Sequence, residues 1–177
     1  MNAPLPMTQR TVAELSALPR AEFVAALDGI FEHSPWVAEA AWEDRPFATV
    51  NALHDAMCQA VIDAGEGAQL DLIRAHPELA GKAAVRGELT AESTREQAGA
   101  GLDQCSAEEF ARLTELNDAY KAKFGFPYIL AVRGHTRSSI IENFAGRLEN
   151  SRADEIEACL RQIFRIAGFR LEDLVRD

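Results

Sequence analysis

The chain has 177 residues, 47% of them hydrophobic, and a net charge of -10. This is the length of one domain with room for a sizeable core, and the acidic balance argues against nucleic acid as a partner, since phosphate binding needs a basic face. Its apolar runs are far shorter than the roughly 20 residues needed to cross a bilayer, so no membrane partner is expected.

Met1 to Arg10 shows no basic start followed by an apolar stretch, and Val175-Arg176-Asp177 is not a peroxisomal address, so a cytoplasmic location is expected. Residues 1–9 read as a flexible tail. Cys58, Cys105 and Cys159 are widely spaced and form neither a CxxC pair nor a zinc pattern; they read as free thiols.

Thr11-Val12-Ala13-Glu14 is a capping-box pattern opening a short helix that stops near Pro19. Apolar residues at 23, 24, 27, 30 and 31 give a helical stripe over Ala21 to Phe31. Ser34-Pro35-Trp36 starts another helix, with a cap and then proline at the first helical position. It runs to about Trp42, where Glu43-Asp44-Arg45-Pro46 breaks it. Phe47 to Ala64 is long and periodic and ends at Gly65-Glu66-Gly67. Ala68 to Ala75 is a short helix that delivers His76.

From Gly81 to Gln104 the pattern is irregular, rich in Gly, Ala, Ser and Thr. A long irregular stretch in a compact domain is either disordered or functional, and Glu96-Gln97 favour function. Ser106-Ala107-Glu108-Glu109 is a second capping box; its helix runs through Lys123 and Gly125 stops it. Tyr128 to Val132 is a short apolar run that reads either as an extended segment or as the first turn of a buried helix. Ser138 to Asn150 and Ala153 to Gly168 are the last long helices, and Leu171 to Val175 is a short tail. No strand alternation or hairpin signal persists. The fold class is therefore all-α: a single domain over 1–177 of about eight helices in an irregular bundle.

Four histidines are candidates for chemistry: His33, His54, His76 and His135. None pairs with another at metal-ligand spacing, so no metal site is expected. No phosphate loop, dinucleotide fingerprint or nucleophile elbow occurs, which leaves cofactor-free chemistry if the chain is an enzyme. His76 stands apart because Pro77 follows it. A residue before proline is pushed out of the α region, so His76 sits where its helix stops. It is either a structural residue at a helix end or a general acid–base group, since an ordinary imidazole titrates near pH 6.5. Glu96 is a plausible partner or a solvated surface charge. On a helical turn Ser93, Glu96 and Gln97 would share a face, a hydroxyl, a carboxylate and an amide suited to a heterocycle with N–H and C=O groups. Phe124-Gly125-Phe126-Pro127 suggests a sharp turn with aromatic walls, either a core cluster or a platform whose following backbone meets a planar ligand.

His76-Pro77-Glu78-Leu79-Ala80-Gly81, Ser93-x-x-Glu96-Gln97-x-Gly99-Ala100-Gly101-Leu102 and Leu116-Asn117-x-x-Tyr120-x-x-x-Phe124-Gly125-Phe126-Pro127-Tyr128 together resemble the 2-oxo-4-hydroxy-4-carboxy-5-ureidoimidazoline (OHCU) decarboxylase family. Trp42-Glu43-Asp44-Arg45-Pro46-Phe47 and Arg170-Leu171-Glu172-Asp173-Leu174 fit as well, so the resemblance covers nearly the whole chain in order. It implies an all-α homodimer that decarboxylates OHCU to S-allantoin, the last step from urate, with no cofactor and no metal. It also implies that His76 and Glu96 are catalytic. Pro77, Ser93, Thr94, Arg95, Glu96, Gln97, Tyr128, Ile129, Leu130, Ala131, Val132 and Arg170 would bind substrate. An arginine, Arg170 or Arg133, would meet the substrate carboxylate. The competing readings are a helical binding module whose His-Pro turn is structural, and a cofactor-free hydrolase or isomerase acting on a ureide.

Overall fold

The structure is a computed structural model that describes residues 9–177; the expected tail over 1–9 falls, apart from Gln9, outside the described residues. Short helices α1 (Val12–Ser16), α2 (Arg20–Ala26) and α3 (Pro35–Ala41) lead through a 3-10 turn at Trp42–Asp44 into α4 (Val50–Asp63) and α5 (Glu66–Ala75). The small helices α6 (Lys82–Val85) and α7 (Ala91–Gly99) follow, with a 3-10 turn at Leu102–Gln104. The long α8 (Ala107–Phe124), α9 (Arg137–Arg147) and α10 (Arg152–Leu174) complete the bundle. The fold is mostly α, as expected. One correction is a parallel pair of two-residue strands, β1 (Arg10–Thr11) and β2 (Val175–Arg176), which joins the first described residues to the last. It is too short to show as alternation, and Gln9 Nε2 reinforces it by donating to Glu172 O at 2.9 Å.

The capping boxes form as read. Thr11 Oγ1 accepts from Glu14 N, and Ser106 Oγ accepts from Glu109 N, with each glutamate returning the bond to the cap's own N–H. Beyond α2, which stops at Ala26 and not at Phe31, two readings of helix extent change. The stretch 81–104 is mostly helical, which raises the helix count above about eight. Thr90 caps α7 by accepting from Ser93 N at 3.2 Å, and Gly101 ends it at φ +79. The buried residues of α7 are Ser93 and Gln97. A helix whose inner face is polar leaves no apolar stripe, so periodicity could not reveal it.

The second change is that α10 passes through Gly168 and continues to Leu174. Gly168 does not stop the helix; a Cβ there would make an ordinary contact of 3.4 Å with His54 Nε2 on α4. Leu171 beyond it is fully buried. α10 packs on α4 and α5, and α3 on α4. Phe23, Leu53, Val61, Leu72, Ile73 and Ile163 meet in one core with 1% exposure or less, each worth roughly 1.5–3 kcal/mol of burial. This core fixes the end of α5 and the last third of α10, the two elements that carry His76 and Arg170.

Candidate active site

α5 ends at His76, whose φ of -75 and ψ of 142 are extended, as the following proline requires. The next turn is strapped down from both sides. Gln97 Oε1 on α7 accepts from Ala80 N at 2.9 Å, and Gln97 Nε2 donates to Glu78 O at 3.2 Å. Asn117 Nδ2 on α8 donates to Leu79 O at 2.9 Å. Ala80 sits at φ +50, a left-handed conformation that costs about 1 kcal/mol or more outside glycine. These three side-chain bonds hold it there.

His76 lies inside the protein at 7% exposure. Its Nε2 is buried with no hydrogen-bond partner. Burial first, and then the charges of Arg170 and His33, depress its pKa to about 4 against the opposing pull of Glu32. Desolvation disfavours the charged imidazolium, so the ring is neutral at pH 7. The other histidines have local duties. His54 Nε2 is 2.7 Å from Phe164 O and His135 Nδ1 is 3.0 Å from Ser139 Oγ, while His33 holds a left-handed turn at φ +47.

His76 opens onto a small cavity of about 30 Å³, close to the volume of one water. Pro77, Ser93, Glu96, Gln97, Tyr128, Ile129, Leu130, Val132 and Arg170 line it with His76, and so do Leu79 and Ile166. Ile166 and Arg170 stand four apart on α10 and therefore share a face. Of the sequence candidates, Thr94, Arg95 and Ala131 are outside this lining. Thr94 Oγ1 turns back to Thr90 O at 2.8 Å. Arg95 lines a wider cleft of about 710 Å³ with Gly29, Glu92, Arg133 and the other side of Glu96 and Arg170. Ala131 N donates to Gln162 Oε1 at 3.1 Å.

Every N–H of the Arg170 guanidinium has an acceptor. Nε and Nη2 grip Glu96 Oε1 and Oε2 at 2.6 and 2.9 Å. Nη1 donates to Gly29 O at 2.7 Å and to Glu32 Oε2 at 2.9 Å. Nη2 also reaches Ser93 Oγ at 3.4 Å. A guanidinium has five donors, and all are used. Burial disfavours the Arg170 charge, but Glu96 and Glu32 outweigh it and raise its pKa further. Arg170 therefore has no donor left for a substrate carboxylate while Glu96 is in place. Arg133 is no substitute: it is exposed and paired with Asp173 at 2.8 Å.

Glu32 is the residue that sequence reasoning missed. It is 1% exposed, and its Oε1 accepts from Thr90 Oγ1 at 2.8 Å and Ser93 Oγ at 3.0 Å. Burial raises its pKa, but Arg170, the Thr90 hydroxyl and His76 together hold it below the ordinary value, so it is ionised. No local signal marks it. A glutamate beside Phe31 and His33 looks like any surface charge until α10 brings an arginine over it.

The segment Tyr128 to Val132 is buried and lies outside any helix, which rules out the helical form of the two the sequence left open. A polar network beneath α9 and α10 fixes it. Arg147 Nη1 donates to Ile129 O, Arg147 Nε pairs with Glu155 Oε1 at 2.8 Å, and Tyr120 Oη donates to the same carboxylate at 2.6 Å. The Tyr128 ring stacks on Phe144 at 3.8 Å between centroids, and its hydroxyl donates to Asn143. Phe124, Phe126, Tyr120 and Tyr128 form an aromatic core cluster, which supports the segment from behind. Among the described residues no group of three or more His, Cys, Asp or Glu is placed to hold a metal ion, and no helix is long and apolar enough to cross a membrane.

Comparison with known proteins places these features in a family. A family model described as OHCU decarboxylase matches residues 16–172. The 2-oxo-4-hydroxy-4-carboxy-5-ureidoimidazoline decarboxylase of Halalkalicoccus jeotgali is 40% identical over 168 residues, which are 95% of this chain and 93% of that protein. A crystal structure of (S)-allantoin synthase superposes with a TM-score of 0.75 at 31% identity, over 93% of this chain; the chain spans about half, 54%, of that protein. A crystal structure of OHCU decarboxylase in the presence of (S)-allantoin shares the fold, with a TM-score of 0.64 at 21% identity over 82% of this chain and 94% of that one.

Proposed function

This chain belongs to the OHCU decarboxylase family and is a carboxy-lyase that converts OHCU to (S)-allantoin in urate degradation; we propose that it does so with His76 as the proton-transfer group and Glu96 as the charged acceptor for substrate N–H groups. The observation that carries this assignment is the buried, unpartnered Nε2 of a neutral His76 facing the same cavity as a carboxylate held in place by Arg170.

The chemistry needs little beyond placement. The carbon–carbon bond to the carboxylate breaks, CO2 leaves, and its electron pair passes into the adjacent ring C=N. The ring nitrogen takes up the one proton that the reaction consumes. The substrate is thus its own electron sink. The 4-hydroxyl then gives its proton to His76 Nε2 as the ring C=O forms, and the imidazolium hands it to the neighbouring ring carbon from one face. With Nε2 the bare nitrogen of a neutral imidazole, it begins as acceptor, and that orders the two transfers. An imidazole held near a pKa of 4 is a poor base alone. The anionic substrate raises that value on binding, and once charged the ring is a strong donor to carbon.

The apolar side of the cavity suits the departing group. Leu79, Ile129, Leu130, Val132 and Ile166 offer no charge to a carboxylate, and Arg170 has no free N–H. A carboxylate against apolar side chains is destabilised relative to neutral CO2, which favours the transition state over the bound substrate. Gln97 acts through the turn after His76, and the backbone of Tyr128 to Val132 holds the ring. The cavity must widen to admit a ring with a ureido arm. Thr94, Arg95 and Ala131 contribute from outside the cavity, through the backbone of α7 and of the 128–132 segment that carries their neighbours. A homodimer and a cytoplasmic location belong to the same reading, which gel filtration and fractionation of the native source test.

The test is to generate OHCU freshly and follow the circular dichroism of (S)-allantoin. Wild type produces it rapidly, and His76→Asn, with its fold intact, slows the rate by about 10²-fold or more. A His76→Asn enzyme as fast as wild type removes the histidine from the mechanism. OHCU left to decay at its uncatalysed rate by wild type rejects the decarboxylase reading itself.

A further inference from the structure

We propose that Glu32 is a positioning residue of this active site: its buried carboxylate clamps Arg170 and Ser93 so that Glu96 is held toward the substrate. The inference rests on the decarboxylase reading and adds to it a residue from a part of the chain, between α2 and α3, that otherwise contributes nothing to the cavity.

Three observations carry it. Glu32 is 1% exposed, and an ion taken out of water costs several kcal/mol unless fully paired. Its pairing is complete, and every partner serves the site. Arg170 Nη1 donates to one oxygen, and the hydroxyls of Ser93 and Thr90 donate to the other. Ser93 lines the cavity. Thr90 caps the helix that carries Ser93, Glu96 and Gln97, so its hydroxyl cannot shift without disturbing that helix start. None of the bonds goes to the general core.

The arrangement around Arg170 gives the two glutamates different jobs. Glu32 and Gly29 O take Nη1 on the buried side, and Glu96 takes Nε and Nη2 on the cavity side. A guanidinium is a rigid planar fork. Fixing Nη1 therefore fixes the direction in which Nε and Nη2 point, and with it the carboxylate of Glu96. The titratable and charged groups facing this cluster are His76 from the end of α5, His33 beside Glu32, Glu96 from α7 and Arg170 from α10.

The test compares the full chain with Glu32→Gln and Glu32→Asp. Rates are measured on fresh OHCU and expressed per site competent to bind (S)-allantoin, as titrated calorimetrically. That normalisation removes any fraction lost to misfolding, so a purely structural role leaves kcat per competent site unchanged. Misplacement of a reacting group by about 1 Å can cost about 10²-fold, so Glu32→Gln is expected to lose about tenfold or more in kcat per competent site with KM within about threefold. Glu32→Asp, which keeps the charge one methylene further back, is expected to fall between it and wild type. A Glu32→Gln enzyme with kcat per site within twofold of wild type overturns the inference. Should Glu32→Gln fail to fold, Glu32→Asp decides alone: a kcat at least about threefold below wild type supports the clamp, and a wild-type kcat overturns it. Wild type and His76→Asn run alongside; inactive wild type or active His76→Asn would reject the underlying reading, whereas a normal pair of controls with a normal Glu32→Gln rejects only this inference.

Discussion

Burying His76 in its neutral form makes a specific demand on stability at acid pH. The unfolded chain binds a proton at this ring near pH 6.5, whereas the folded chain binds it only near pH 4. Between these values the unfolded state holds more protons, so stability falls as pH falls. The contribution is intact above pH 6.5, is lost progressively down to about pH 4, and amounts to about 3 kcal/mol in full at ~1.4 kcal/mol per pH unit. Going from pH 7.5, the expected loss is roughly 1.4 kcal/mol by pH 5.5 and roughly 2.5 kcal/mol by pH 4.5. His76→Asn puts an uncharged polar group at the same helix end and removes this titration, leaving the carboxylates other than its neighbour Glu32 as they are. Urea denaturation of both proteins at the three pH values, read as the difference of midpoints times the slope, isolates the histidine. Wild type should lose more stability than the variant by the amounts given. Parallel loss in the two proteins, within about 0.5 kcal/mol, would mean that His76 is not buried neutral. A wild type that gains on the variant as pH falls would mean that Glu32 keeps the ring charged, and the order of proton transfers set out above would be wrong.

Two further outcomes follow from the side chains that frame the site. Arg170→Met leaves Glu32 buried without its counter-charge, so it should cost roughly 3–5 kcal/mol in urea unfolding and abolish turnover; a stability within 1 kcal/mol of wild type would show that Glu32 is not held by this pair. Asn117→Leu removes the bond to Leu79 O and leaves that carbonyl unsatisfied, for a loss of about 1–3 kcal/mol. It should also lower kcat severalfold by loosening the turn behind His76, and an unchanged kcat would show that Gln97 alone fixes that turn.

Much of the site was legible because its pieces carry local rules. His76 before Pro77 must leave the helix, and it does. The boxes Thr11–Glu14 and Ser106–Glu109 are self-contained hydrogen-bond exchanges within four residues, so no distant contact is needed to form them. The helix α7 was not legible from its pattern, because its inward residues are Ser93 and Gln97 and a polar inner face has no hydrophobic period. The same holds for the end of α10. Gly168 reads as a stop, yet α10 runs through it to bury Leu171, and only the packed molecule shows this.

The sequence by itself determined the all-α class, the family, and the set of groups gathered at the His-Pro turn, since each rests on short-range pattern or on a whole-chain match. The tertiary structure alone decided what those groups do to one another. It buried His76 and so made it neutral, it gave Arg170 two carboxylates and left it no donor for a third, and it drew Glu32 in from 138 residues away to face them. Burial and charge pairing depend on distances between elements remote in the chain. The ionisation state and bonding of an active-site residue are properties of the packed molecule, whatever its local sequence suggests.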